Sequence, residues 1–147
     1  MNAAMNRDQA QQALATAEAA GGTAARGGRW YAGFSVAYAA ISVGLTLTVG
    51  LAPSLWVIGG ATAVSLAAIG ALTVYALRRP VAPRRYAALH LCSMVAWGAI
   101  YMVVLMGGTG GFKGDLAWWV PGALLTAVPP LVAAAVSARR PAVAAAR

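Results

Sequence analysis

The stretch LWVIGGATAVSLAAIGALTVYAL, Leu55 to Leu77, contains no Asp, Glu, Lys or Arg and runs directly into Arg78-Arg79. As a helix rising 1.5 Å per residue it is about 30 Å long, enough to cross the hydrocarbon core of a bilayer. Three further uncharged apolar runs match it: Trp30 to Leu51, Tyr86 to Met106 and Leu116 to Ser137. One such run could be a buried helix of a soluble domain. Four of them in 147 residues, 61% hydrophobic and 10% charged, leave too little polar surface to face water. The sequence therefore predicts an all-α membrane protein. Its four transmembrane helices, residues 30–51, 55–77, 86–106 and 116–137, form two antiparallel hairpins in a bundle. A segment 1–29 with a short helix over 6–20 precedes them, and a tail 138–147 follows.

The charges predict the threading. Arg7, Arg26 and Arg29 precede the first span, Arg78, Arg79, Arg84 and Arg85 fill the link between the second and third, and Arg139, Arg140 and Arg147 follow the fourth. The other side has only Lys113. Basic residues in short loops mark the cytoplasmic side, so both termini are expected there, in a multi-pass protein of the cell membrane. The net charge of +8 then calls for no nucleic acid. These arginines set topology and can lie against anionic headgroups. The first 29 residues lack the apolar core of a signal peptide, so insertion is expected to begin with the first span.

Asn6 with Gln9 three residues later reads as a helix N-cap and its box partner, and Gly21-Gly22 as a stop, with Thr23 to Gly28 a flexible link. The helix has one large apolar residue, Leu14, on a side otherwise made by Ala10, Ala13 and Ala17. It is either a polar surface helix or a handle for a cytoplasmic partner.

In lipid, small residues let helices approach closely. Gly59, Ala63, Ala67 and Ala71 on the second span, and Gly33, Ala37, Ala40 and Gly44 on the first, are candidates for such a seam. Pro121 is expected in the first turn of the fourth span. The Pro129-Pro130 pair should kink that span and free the carbonyls of Leu125 and Thr126, giving a static bend or a gate. The hairpins also resemble each other: Trp56-Val57-Ile58-Gly59 and Trp119-Val120-Pro121-Gly122 open the second and fourth spans, and both spans end in Arg-Arg-Pro. A parallel repeat would explain this, and so would chance in a sequence of such biased composition.

No charged residue interrupts a span, so an intramembrane carboxylate of the kind that couples protons to cargo is missing. His90 is the one intramembrane group that titrates near neutral pH. With Tyr86, Ser93, Trp97 and Tyr101 it lies on one face of the third span, and the first span has a matching stripe of Tyr31, Ser35, Tyr38, Ser42 and Thr46. Two such stripes face to face would make an aromatic seam in which Tyr38, His90, Trp97 and Tyr101 could hold an apolar or cationic compound. The plainer expectation is that the hydroxyls and the imidazole bond across helices while Trp30, Tyr31, Tyr86, Trp118 and Trp119 sit in the interfacial belts. Cys92 is the sole cysteine, which excludes an intramolecular disulfide or a Cys-x-x-Cys centre. Gly107 to Gly114 has some likeness to a phosphate-binding loop but lacks the Gly-Lys-Ser/Thr ending, so it reads as a flexible connection. No catalytic constellation, metal site or cofactor site can be assembled.

The size and four-span layout resemble the small multidrug resistance transporters, but the glutamate that defines them in the first span is absent from Trp30 to Leu51. Alanine makes up a quarter of the residues and arginine outnumbers lysine ten to one. With a short polar helix ahead of four spans, the chain resembles the uncharacterised small four-helix integral membrane proteins of high-GC Gram-positive bacteria. That resemblance implies a topology and no active site. The expected function is that of a non-enzymatic accessory or regulatory subunit acting through a basic cytoplasmic face, with anionic lipid and a protein partner or a second copy as its contacts. The alternative is a small oligomeric transporter or export component.

Overall fold

The computed structural model describes residues 7–27, 30–52, 54–79 and 86–139, and among these it contains five helices and no strands. They are α1 (Arg7–Gly27), α2 (Trp30–Leu51), α3 (Leu55–Leu77), α4 (Tyr86–Gly111) and α5 (Leu116–Arg139). Four are long and apolar enough to cross a membrane.

Helix ends differ from the expected ones where glycine was taken as a stop. α1 continues through Gly21-Gly22 to Gly27, so Thr23 to Gly27 is helix rather than link. A glycine ends a helix by adopting positive φ, and among the described glycines only Gly114 does so, at 77°. The Asn6 cap lies outside the described residues. α4 likewise continues through Gly107-Gly108-Thr109-Gly110-Gly111, and the connection to α5 shrinks to residues 112–115. Asp115 caps α5, its carboxylate accepting from the Ala117 amide at 2.8 Å. Ser54 caps α3 by accepting from the Val57 amide at 3.5 Å. α5 is one continuous helix through all three prolines. Because it starts at Leu116, Pro121 falls in its second turn rather than its first, and Pro130 is fully buried.

The bundle is built around one pair. α2 lies most extensively against α5, α4 packs on α5 and touches α2 more lightly, and α3 packs on α2; among the described residues α3 and α4 have no extensive interface. Of the apolar window of each helix, 39% is buried in α2 and in α5, but 11% in α4 and 6% in α3. The buried line of α2 runs from Gly50 through Thr46, Ser42, Ala39 and Ser35 to Tyr31, in steps of three and four. On α5 it runs through Trp119, Ala123, Thr126, Ala127, Pro130, Ala133 and Ala134. Small and hydroxyl side chains on both sides bring the backbones close, as packing without a hydrophobic driving force requires.

The small-residue seam read from the sequence is on the wrong face. Gly59, Ala63, Ala67 and Ala71 are all exposed, as are Gly33, Ala40 and Gly44, and a Cβ on Gly33, Gly44 or Gly59 would meet nothing. In a chain so rich in alanine, four-residue spacing occurs on every face, and only the neighbouring helix selects one. We expect Ala67→Leu to change the unfolding free energy of the detergent-solubilised protein by less than about 0.5 kcal/mol. A loss of more than about 1 kcal/mol in a denaturant titration would place that face inside the bundle.

The opening tryptophans of the two hairpins have different surroundings. Trp119 is wholly buried at the start of α5, whereas its sequence counterpart Trp56 at the start of α3 is 91% exposed.

Candidate functional site

α2 and α4 run parallel and meet along aromatic side chains. Tyr38 lies edge-on to Trp97 with ring centroids 5.5 Å apart, and Trp97 stacks on Tyr101 at 5.1 Å. Below them Phe34 stacks between Tyr31 and Tyr38, at 6.0 and 6.5 Å. His90 stands edge-on to Tyr31 and Phe34, at 6.2 and 6.0 Å. All four seam residues named from the sequence, Tyr38, His90, Trp97 and Tyr101, are thus brought to one interface. It is lined by rings that pack on each other, each contact adding about 0.5–1.5 kcal/mol beyond area burial. The Ser93 hydroxyl and the Trp97 indole N–H are buried there and find no hydrogen-bond partner among the described residues.

The serine and threonine half of the α2 stripe does something else. Ser35, Ser42 and Thr46 lie on the buried line of α2. The threonine hydroxyls at this packing surface bond within their own helices. Thr46 donates to the Ser42 carbonyl at 2.7 Å and Thr126 to the Ala123 carbonyl at 2.7 Å, each within its own helix. A threonine that bonds back to its own turn presents a small, nearly apolar surface to its neighbour, which suits close packing.

Two tryptophans of α5 bond to the α4 side of the molecule, Trp118 to α4 itself and Trp119 to the connection after it, at the end opposite Arg78 and Arg79. Trp119 donates its indole N–H to the Phe112 carbonyl at 2.8 Å, and Trp118 donates to the Val104 carbonyl at 3.1 Å. Both rings are seated on glycine. A Cβ on Gly50 of α2 or Gly108 of α4 would overlap the Trp119 ring, and one on Gly107 would overlap Trp118. Phe112 stacks on Trp118 at 4.7 Å, and the Gly114 amide donates to the Gly50 carbonyl at 3.1 Å. Trp119 is therefore a core residue and not part of an interfacial belt. Tyr31, 1% exposed, is another. The run of helical glycines facing Trp118-Trp119 was the sequence signal for this arrangement.

At the basic end, Tyr31 and Phe34 of α2 form a buried cluster with Ala133 of α5, against which Trp30, Leu72 and Ala76 and Leu89 pack. Beside it is a cleft of about 150 Å³ between α2, α3 and the start of α4, lined by Trp30, Phe34, Thr73, Leu77, Arg79 and His90. The Arg79 guanidinium lies 4.2 Å over the Tyr75 ring, and Trp30 is edge-on to Tyr75 at 6.4 Å. Arg78 is exposed at the C-cap of α3. Arg139 is the last residue of α5, and Arg84, Arg85 and Arg140 lie outside the described residues. Sequence reasoning named Arg79 as a topology determinant and did not connect it with Tyr75, Trp30 and His90, which come from three helices.

The fold defines a multi-pass helical membrane protein. No protein-family model, curated protein or solved structure matches the chain.

Proposed function

We propose that the protein is a non-enzymatic membrane subunit whose basic end faces the cytoplasm and whose α1 docks a partner protein there. The observation that carries this is the placement of α1. It has 21 residues, it has no extensive interface with the bundle among the described residues, and residues 11–19 are exposed throughout, Leu14 included at 65%. A helix of this length draws most of its stability from a surface to pack on. Outside the bundle, that surface is a partner's. Arg78 and Arg79 emerge from the bundle at the end where α2 begins, so the partner and the anionic face of the membrane are met together.

Purification of the full chain from its native membrane in mild detergent is expected to bring down a stoichiometric second protein, and deletion of residues 1–27 to remove it. The second reading, an oligomeric transporter or export component, is favoured by the unpartnered Ser93 and Trp97 beside Tyr38 and Tyr101. A pure homo-oligomer that retains tetraphenylphosphonium and loses it in Tyr38→Ala or Trp97→Ala would replace the accessory reading with that one.

A further inference from the structure

We propose that the cleft at the basic end is a binding site for one anionic phospholipid, with the headgroup phosphate on Arg79 and an acyl chain leaving between α3 and α4. The inference stands apart from the accessory reading, since the site needs no protein partner.

Three observations meet there. The first is how Arg79 is held. Its guanidinium is stacked on Tyr75 at 4.2 Å, one residue beyond the Arg78 C-cap of α3, whose dipole is negative at that end. Stacking occupies the face of the guanidinium and leaves its N–H edges for an oxyanion, in the fork geometry that suits a phosphate. A freely moving surface arginine would lose side-chain entropy on binding, and one already held against a ring loses less.

The second is the chemistry of the walls. Trp30, Phe34, Ala76 and Leu77 are apolar, Arg79 carries the fixed charge, and of the two other polar lining residues, Thr73 and His90, the Thr73 hydroxyl already donates to the Ile69 carbonyl at 2.9 Å. A free phosphate ion entering such a cleft would give up hydration without enough donors to replace it. An amphipathic ligand matches both parts, with its phosphate at the arginine and its glycerol and first methylenes against the rings.

The third is the access route. Because α3 and α4 are not among the extensively packed helix pairs, the cleft has a side toward lipid, along two helices with apolar, exposed residues: Leu77 at 80%, Leu91 at 64% and Val95 at 65%. A soluble ligand has no use for a lateral opening into the hydrocarbon. A lipid requires one.

The test is native mass spectrometry of the delipidated full chain, titrated with phosphatidylglycerol and, separately, with phosphatidylcholine of the same acyl chains. The first phosphatidylglycerol should bind about tenfold more tightly than phosphatidylcholine, and Arg79→Gln should remove about fivefold or more of that preference. Arg78→Gln, which removes the same charge one residue away but outside the cleft, should leave most of it. Tyr75→Leu, which keeps the cation and removes its platform, should give an intermediate loss. Equal losses in Arg78→Gln and Arg79→Gln would mean diffuse surface attraction and would overturn the site, as would equal binding of the two lipids. Displacement of the bound lipid by inorganic phosphate alone would overturn the lipid as occupant. Should Arg79→Gln fail to fold by circular dichroism, Arg79→Lys serves in its place. It keeps the charge but not the planar fork, and unchanged lipid preference there would also refute the geometry.

Discussion

Replacing Trp119 with alanine is expected to cost about 3 kcal/mol or more of bundle stability. The side chain is fully buried, its ring lies between Gly50 of α2 and Gly108 of α4, and its N–H holds the Phe112 carbonyl at 2.8 Å. Truncation empties a volume shared by three helices and leaves that carbonyl without its donor. In a bilayer the lost contacts are chiefly dispersion and hydrogen bonding, so little compensation comes from solvent. Gly50→Val and Gly108→Val should each destabilise strongly as well, because both need space that the indole fills. The decisive comparison is the double-mutant cycle. If Gly50 exists to seat the ring, Gly50→Val should cost much less in a Trp119→Ala background, a coupling of about 1–3 kcal/mol in a denaturant titration in mixed micelles. Additive effects would show that the two residues act independently and that the seat does not exist.

The second large effect is expected at Ala123, which is wholly buried on the α5 face toward α2. Leucine there would add three heavy atoms between the two backbones that the bundle holds closest. Overpacking of this kind costs about 1–3 kcal/mol and occasionally more. In Ala123→Leu it should register as a lowered unfolding midpoint together with faster proteolysis of α3, whose main contact with the bundle is α2. The same substitution at Ala67, on the exposed side of α3, has been assigned almost no effect. The ratio between these two alanine-to-leucine changes is a direct measure of which helix pair forms the core. If Ala67→Leu proved the more damaging of the two, the arrangement with α2 and α5 at the centre would be wrong.

The aromatic seam shows how far a periodic pattern can be trusted. Spacing of three and four put Ser93, Trp97 and Tyr101 on one side of α4, and that side meets Tyr38 of α2. The same pattern treated Tyr31, Ser35, Tyr38, Ser42 and Thr46 as one stripe with one partner. A helix buried between two neighbours has two faces only about 100° apart, and a stripe of mixed hydroxyls and rings covers both. Here Tyr31 and Phe34 meet both His90 of α4 and Ala133 of α5, and Tyr38 meets Trp97 of α4.

Helix length and charge are local properties, and those the sequence determined by itself. Uncharged runs of 21 to 23 residues between arginine clusters can satisfy their backbones in lipid only as helices. The starts of α2, α3, α4 and α5 fall where those runs begin. What only the tertiary structure decided is which face of each helix is inside. In water an apolar stripe announces the buried side, but here every face is apolar and the choice passes to steric fit. Gly50, Gly107 and Gly108 are recognisable as seats only once Trp118 and Trp119 are brought against them. Arg79 joins a cleft only because Trp30 and His90 come from helices far from it in the chain.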